Sequence, residues 1–161
     1  MSAAGDAARR IVRSWGTVHE TVSMTIAAPP ERLAALYLDY TGWSRLWPDT
    51  IRGVRLIRRD ANATMVEVDH RTAGHVLNII HPHSPTEIEL SEMKPKFDAT
   101  FVNRFERSPK GTRYRVIAVV RLKPPYRVLG PFIHGIVRRM IRRYVLAPMR
   151  TFVEREAALG H

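Results

Sequence analysis

The stretch VSMTIAAPPERLAALYLDYTGWSRLWPD, residues 22–49, decides the fold. Its first residues complete a run, residues 17–26, in which apolar and polar side chains alternate, as in a strand with one buried face. The small residues and prolines at 27–30 end that strand, and the helical spacing of apolar residues over 33–37 predicts a helix. A second short helical segment ends at Pro48. The sequence therefore predicts one strand followed by two short helices.

Strand patterns and turn residues follow one another along most of the remaining chain. Alternating apolar residues and turn signals such as Ser108-Pro109-Lys110-Gly111 predict six more strands, at residues 51–58, 64–70, 75–81, 86–90, 97–106 and 112–122. A long helix with an apolar stripe is predicted from Tyr126 to about Ala158. Gly130-Pro131 should delay its start, and Pro148 should kink it, because an interior proline removes a backbone hydrogen bond.

This order of elements resembles the helix-grip domains of the SRPBCC superfamily, which includes START, polyketide cyclase/dehydrase and Bet v 1-like proteins. Residues 22–49 are similar to that family's opening, with its W-x-x-x-W-P ending at Trp43–Pro48, and the resemblance extends over about residues 17–157. It implies an α+β fold in which a curved, seven-stranded antiparallel sheet surrounds a long C-terminal helix, with two short helices between strands 1 and 2. It also implies an elongated cavity between the sheet and that helix.

Residues 69–83, DHRTAGHVLNIIHPH, contain four of the chain's seven histidines. A two-residue turn within residues 72–74 would place several side chains on the inward face of the preceding strand, namely His70, His75, Leu77 and Ile79. A three-residue loop would instead turn Asn78 inward. Because His75 and His81 are separated by about 20 Å along a strand, they cannot share a metal ion. We predict no metal site, and we expect His81 and His83 to lie in a turn.

Polar and aromatic residues on inward faces are the remaining candidates for ligand contact. Asn103 interrupts an apolar face, and a buried amide needs hydrogen-bond partners, so it should meet Tyr114, a water or a ligand. Trp43 and Trp47 are expected in the core, as a lid over a cavity mouth, or against a ligand. The full set of candidate ligand-binding residues is Tyr37, Trp43, Trp47, His70, His75, Leu77, Ile79, Phe101, Asn103, Phe105, Tyr114, Val116, Ile136 and Met140.

Composition limits the class of protein. The length of 161 residues suits one domain, and 45% hydrophobic with 25% charged residues is typical of a soluble globular protein. The absence of cysteine excludes disulfides and cysteine nucleophiles. Residues 1–16 carry no apolar segment typical of a signal peptide, so we expect a flexible lead-in before a single domain over residues 17–158, and a cytoplasmic location.

The charge is strongly positive. Twenty-six Lys and Arg residues against fifteen Asp and Glu give a net charge of +11, and the C-terminal helix contributes a candidate anion-facing surface of Arg138, Arg139, Arg142 and Arg143. Such a surface can be merely solvated, or it can meet anionic lipid headgroups, as in a protein peripheral to the membrane, or an acidic acyl carrier protein. Nucleic acid is the weakest candidate, since no nucleic-acid-binding motif is present.

Three hypotheses for the function remain open. The favoured one is a non-enzymatic protein that binds or transports a hydrophobic small molecule, lipid-like or polycyclic, without a cofactor. The alternative is an enzyme similar to polyketide aromatase/cyclases that uses the same cavity; no strong catalytic motif is present, but His70, Asn103 and Tyr114 could move protons. The third is a basic adaptor of the ribosome or of a protein partner.

Overall fold

The structure, a computed structural model, describes residues 15–160. Seven strands form one antiparallel sheet in the order β1-β7-β6-β5-β4-β3-β2, so β1 pairs with the last strand and every other neighbour follows in sequence. The strands are β1 (Thr17–Ile26), β2 (Ile51–Arg59), β3 (Thr64–His70), β4 (Gly74–Ser84), β5 (Glu87–Met93), β6 (Phe97–Ser108) and β7 (Gly111–Leu122). The predicted seven-stranded antiparallel sheet is confirmed. The predicted lead-in at 1–16 falls outside the described residues except for its last two.

Two short helices separate β1 from β2, as predicted. Helix α1 (Pro30–Leu38) begins with a proline in its first turn, where the missing N–H needs no partner. A 3₁₀ turn (Tyr40–Gly42) leads into α2 (Trp43–Leu46). Together they bring the aromatic residues of this segment against the sheet, where they enter the main core cluster.

The C-terminal helix is continuous but not uniform. A 3₁₀ turn (Tyr126–Leu129) precedes α3 (Gly130–Ile141), a π-helical turn (Arg142–Leu146) follows, and α4 (Ala147–Leu159) completes it. The π turn comes directly before Pro148, which cannot donate the backbone hydrogen bond of a regular helix. No helix within residues 15–160 is both long and apolar enough to cross a membrane.

The start of α3 depends on Gly130. A Cβ atom on this residue would lie 1.5 Å from the carbonyl oxygen of Trp15, so only glycine fits where the two backbones meet. On the other side of this segment, the Leu122 N–H donates to the Gly16 carbonyl over 2.7 Å. The chain just before β1 therefore fixes the point from which α3 leaves the sheet.

The β3–β4 hairpin differs from the two-residue-turn prediction. His70 pairs with Gly74 and Val68 with Val76, so the loop has three residues, 71–73. Gly74 has φ of +68°, a left-handed conformation that glycine adopts without strain and that suits this kind of loop. Since one residue of register exchanges the two faces of a strand, every side chain of β4 is reversed relative to the prediction.

The reversal corrects three candidate site residues. His75, Leu77 and Ile79 lie on the outer face of β4, whereas the inward side chains are those of Val76, Asn78 and Ile80. His81 and His83 are also displaced from their prediction, because β4 extends through them to Ser84 and no turn separates them. His83 instead contacts Glu89 of β5 at 3.0 Å.

The core has two parts. The larger cluster joins the sheet to α1, α2 and α4, and it contains Leu33, Trp43 and Phe105. The smaller cluster lies under α3, where Ile133 and Val137 pack on Val18, Ala99, Val120 and Leu122. The sheet is thus covered by the short helices at one end and by α3 along its β1 edge.

Candidate functional site

A hydrogen-bond network centred on Asn103 occupies the end of the sheet that α1 and α2 cover. Asn103 is 1% exposed. Its amide nitrogen donates to the Tyr37 hydroxyl (3.0 Å) and to the Ile88 carbonyl (3.2 Å), and its oxygen accepts from the Tyr114 hydroxyl (2.7 Å). Burial raises the pKa of Tyr37 and of Tyr114 above the ordinary value for tyrosine, so both hydroxyls stay protonated. The predicted pairing of Asn103 with Tyr114 is confirmed.

The tryptophans close this end of the molecule. Trp43 and Trp47 are 2% and 6% exposed, and they stack edge to face with each other and with Tyr37. The Trp43 indole donates to the Tyr37 carbonyl (2.7 Å) and the Trp47 indole to the Val145 carbonyl in the π turn (3.1 Å). Both residues therefore serve as core and as anchors between the short helices and the C-terminal helix.

A second polar group lies toward the other end of the inward face, and we call it the Glu92 group: His70, Asn78, Glu92 and Lys94. Glu92 of β5 is directly opposite Asn78 of β4, and both are buried, at 7% and 2% exposure. The Lys94 ammonium pairs with the Glu92 carboxylate at 3.0 Å. Ala99 of β6 pairs with Glu92 on its other side, so the side chain next to the carboxylate is small and leaves space above the sheet.

His70 completes the Glu92 group at the end of β3. Burial lowers its pKa below the ordinary value, the positive charge of Lys94 lowers it further, and Glu92 and Asp69 act in the opposite direction. The net effect keeps the imidazole neutral near pH 7. A neutral imidazole has one nitrogen that donates and one that accepts, so it can orient a hydroxyl or a carbonyl group.

A third polar contact joins α3 to the edge strand, and we call it the Glu20 clamp. The Glu20 carboxylate, 7% exposed, contacts Arg138 Nε at 3.0 Å and His134 Nδ1 at 2.9 Å. The hydrogen bond from Arg138 lowers the pKa of Glu20, His134 lowers it further, and burial opposes both. The clamp fixes one flank of α3 against β1, and Arg138 is consequently not a free member of the predicted anion-facing surface.

The flank of α3 opposite the Glu20 clamp faces away from β1, toward the other strands of the sheet. At 3.6 residues per turn, Met140 lies within about 60° of the partly buried Ile133 and Val137 and about 160° from Arg138. Nevertheless Ile136 and Met140 are 56% and 53% exposed, although their neighbours Ile133 and Val137 pack on the sheet. An apolar flank beside the core is therefore left open, toward the strands that carry the Glu92 group.

The two pockets that the structure defines lie elsewhere. One of about 210 Å³ lies between α1, α2 and α4 beside the Arg32–Glu156 ion pair, and a shallower one of about 490 Å³ lies outside, between the start of α1 and the ends of β5 and β6. Neither lies under α3. The ligand cavity between sheet and helix stays a prediction.

The structure divides the predicted site residues into separate places. Tyr37, Phe105, Tyr114 and Val116 surround Asn103, while Phe101 is half-buried between the Asn103 network and the Glu92 group. His70 lies at the end of β3, and Ile136 and Met140 are exposed on α3. Their roles as ligand contacts stay predictions.

Sequence reasoning missed Glu92 and Glu20, and it placed Asn78 inward only in the alternative with a three-residue loop. The alternation that places Ile88 and Leu90 inward, continued by two residues, would have found Glu92, and the alternation through Val18 and Val22 would have found Glu20. Within residues 15–160, no three His, Asp or Glu residues are arranged to hold a metal ion.

Comparison with known structures identifies the architecture. The di-domain aromatase/cyclase StfQ of the steffimycin biosynthetic pathway superposes with a TM-score of 0.76 at 16% identity, over 95% of this chain and 56% of StfQ. A START superfamily protein from Mycobacterium smegmatis gives 0.65 at 18% identity, over 86% and 97%. The chain has the helix-grip fold. The Zhui aromatase/cyclase from Streptomyces sp. R1128 shares the fold, with a TM-score of 0.60 at 15% identity over 89% and 92%.

This likeness concerns the helix-grip fold alone, since every identity lies below one fifth. No family model matches the sequence, and comparison with curated proteins finds no significant match. The chain spans about half the length of StfQ. The structures that share the fold include aromatase/cyclases and a START superfamily protein, so the fold by itself does not decide a role.

Proposed function

We propose that this helix-grip protein binds and carries a hydrophobic small molecule in the groove between the open flank of α3 and the inward faces of β3, β4 and β5. The observation that carries the proposal is the exposure of Met140, which is 53% exposed although it lies about 20° around the helix from Ile133 on the side that faces the sheet. Helix-flank residues beside a filled core would be buried, and exposed apolar surface next to a core is favourable to cover. A lipid-like or polycyclic ligand is suited to cover it.

The Glu92 group supports a ligand with one polar end. A largely apolar site with a few placed polar groups is the usual form of a small-molecule pocket, in which the polar groups fix the orientation. Neutral His70 can donate or accept, and Asn78 has only a weak contact within its own strand, Nδ2 to the Val76 carbonyl at 3.2 Å. A hydroxyl or carbonyl end near Asn78 would give this side chain a better partner.

The Asn103 network has a different role in this proposal. Its amide and the Tyr114 hydroxyl already satisfy each other within a sealed, aromatic environment. A ligand would have to break those bonds to contact them. We therefore assign the network to the stability of the closed end, and ligand contact to the Glu92 group.

A neutral fluorescent probe, N-phenyl-1-naphthylamine, tests the groove together with native mass spectrometry of the gently purified protein. The Met140→Glu substitution places a charge on the open flank and should weaken probe binding by about tenfold or more, because burial of one methionine is worth about 1.5–3 kcal/mol. Met93→Glu is the matched control: Met93 is 56% exposed on the outer face of β5, and its substitution should leave binding within about twofold.

Two results would contradict the proposal. A wild-type protein that takes up no apolar molecule in either measurement has no functional groove. Equal losses in the Met140 and Met93 variants would show that the probe binds to the protein surface in general.

A second candidate function is an aromatase/cyclase-like enzyme in the same groove. The specific observation in its favour is that a neutral imidazole, His70, and a buried carboxylate, Glu92, lie on the same inward face of the sheet. Such a pair can move protons between carbon and oxygen of a polyketone. The similarity in fold to StfQ supports it. Incubation with a linear polyketone mimic tests it: Glu92→Gln should abolish cyclisation while the affinity for the mimic is retained. If the wild-type protein forms no cyclised product, the enzyme hypothesis fails and the binding proposal stands.

A further inference from the structure

The outer face of α3 carries large apolar side chains that nothing in residues 15–160 covers. Phe132 is 79% exposed and Val128, one turn earlier, is 58% exposed. Phe132 lies about 180° around the helix from Ile141, which is 4% exposed against the core. Phe132 therefore points directly away from the body of the protein.

Arginines continue the same face of the helix. Arg139 lies within about 20° of Phe132 and about 10 Å further along the axis, and Arg142 and Arg143 follow in the exposed π turn. Among residues 15–160, no carboxylate lies within ion-pair distance of these three arginines, whereas Arg138 is held by Glu20. The face thus has an apolar end, Val128 and Phe132, followed by a basic end, Arg139, Arg142 and Arg143, and we call it the α3 outer face.

The surrounding sequence strengthens the charge. Residues 107–153 contain twelve Lys and Arg residues and no Asp or Glu. Adjacent arginines repel one another at these spacings, and an anionic surface offsets that repulsion. An exposed phenylalanine next to unpaired arginines fits a surface that is anionic outside and apolar a few ångströms deeper.

We propose that the α3 outer face docks on an anionic lipid bilayer, with Phe132 and Val128 entering the boundary between headgroups and acyl chains and Arg139, Arg142 and Arg143 contacting lipid phosphates. Helices that lie in a membrane interface combine an apolar face with basic residues in this way, and the long arginine side chains can reach the headgroups while the apolar end enters more deeply. Docking would bring the open flank with Ile136 to the membrane surface, since Ile136 lies about 40° from Phe132.

Flotation of the purified protein with vesicles tests the proposal, using phosphatidylcholine alone and phosphatidylcholine mixed with phosphatidylglycerol. The wild-type protein should float with the mixed vesicles, bind the neutral ones far more weakly, and detach as salt is raised. The double substitution Arg139→Glu/Arg143→Glu should weaken partitioning by about twentyfold or more, because each basic residue near an anionic surface contributes about fivefold.

Matched controls separate this face from general charge and exposure. Lys110→Glu/Arg113→Glu makes the same change in net charge at the exposed β6–β7 hairpin and should alter binding several times less. Phe132→Ser should weaken binding about tenfold, whereas Leu159→Ser, at a side chain that is 82% exposed near the end of α4, should leave it unchanged. Lys110, Arg113, Phe132 and Leu159 are all exposed, so these variants should still fold, and circular dichroism checks that they do.

Several outcomes would overturn the proposal. These are equal binding to neutral vesicles, equal losses in the hairpin control, or no binding by the wild-type protein. A concentration-dependent dimer that Phe132→Ser abolishes would assign the face to a second copy of the chain, and RNA binding that requires Arg139 and Arg143 without vesicle binding would assign it to RNA. The ligand assay is independent, because Phe132→Ser should not change probe affinity, so either proposal can fail alone.

Discussion

The Asn103 network should contribute to stability through hydrogen bonds rather than through packing alone. Asn103→Leu keeps nearly the same volume and adds no polar group, but it removes the acceptor of the Tyr114 hydroxyl, which is 0% exposed, and the donor to the Tyr37 hydroxyl. A buried polar group without its partner costs about 1–3 kcal/mol. With two hydroxyls affected, we expect the free energy of unfolding to fall by about 2–5 kcal/mol.

A double-mutant cycle isolates the bond between the two side chains. Tyr114→Phe alone leaves the Asn103 oxygen without its donor and should cost about 1–2 kcal/mol. Once Asn103→Leu is present, the Tyr114 hydroxyl is already unsatisfied, so removing it should cost little or even restore stability. The double variant should therefore be more stable than the sum of the single changes predicts by about 1–2 kcal/mol.

Urea denaturation followed by the fluorescence of the buried Trp43 and Trp47 measures these differences, provided that the m-values agree. Asn78→Leu is the matched control: Asn78 is equally buried, at 2% exposure, but it lacks a tyrosine partner and its substitution should cost clearly less. An additive cycle, or an Asn78→Leu variant as unstable as Asn103→Leu, would refute the assignment of the Tyr114 hydrogen bond to stability.

Three further predictions concern the clamp, the histidine and the hairpin. Because the pKa of Glu20 is lowered in the folded protein, the ionised carboxylate stabilises the fold above the unfolded-state pKa, and this stabilisation is lost as the pH falls. In thermal melts at a series of pH values, Glu20→Gln should therefore reduce the loss of stability on acidification. An unchanged loss would exclude the clamp. Burial lowers the pKa of His70, so NMR titration should find it charging at a lower pH in the folded protein than in the urea-unfolded chain, and the reverse order would contradict its place on the inward face. Gly74→Ala should lower the free energy of unfolding by about 1–2 kcal/mol, because its φ is positive, whereas Gly135→Ala, in helix α3 with open space around it, should not; equal effects would argue against the three-residue loop.

The sequence predicted those elements whose pattern is local and repeated. Strand β1 and the inward faces of β6 and β7 follow from strict alternation, and residues 29–30 mark the start of α1 unambiguously. The predicted partner of Asn103 was also correct, because Tyr114 lies on an inward face of a neighbouring hairpin strand. In each case the spacing along the chain determines the direction of the side chain.

The β4 face failed because its direction depends on the length of a loop. Turns of two and three residues are both compatible with residues 71–74, and the difference of one residue exchanges Leu77 and Ile79 for Asn78. Gly74 was the only local signal for the longer loop. The same reversal removed His75 from the site and turned Asn78 inward, opposite Glu92 of β5.

The sequence by itself determined the succession of strands and helices along the chain and the excess of positive charge, because these depend on periodicity, turns and composition. Only the tertiary structure decided which of the polar residues satisfy one another and which remain available. In the structure, Asn103 is buried with hydrogen bonds to two tyrosines, and Arg138 is paired with Glu20. Phe132, Ile136 and three arginines remain exposed. The reason is that the hydrogen-bond partners and the exposure of a side chain depend on distances between segments far apart in the chain. Such distances leave no pattern in the sequence of any single segment.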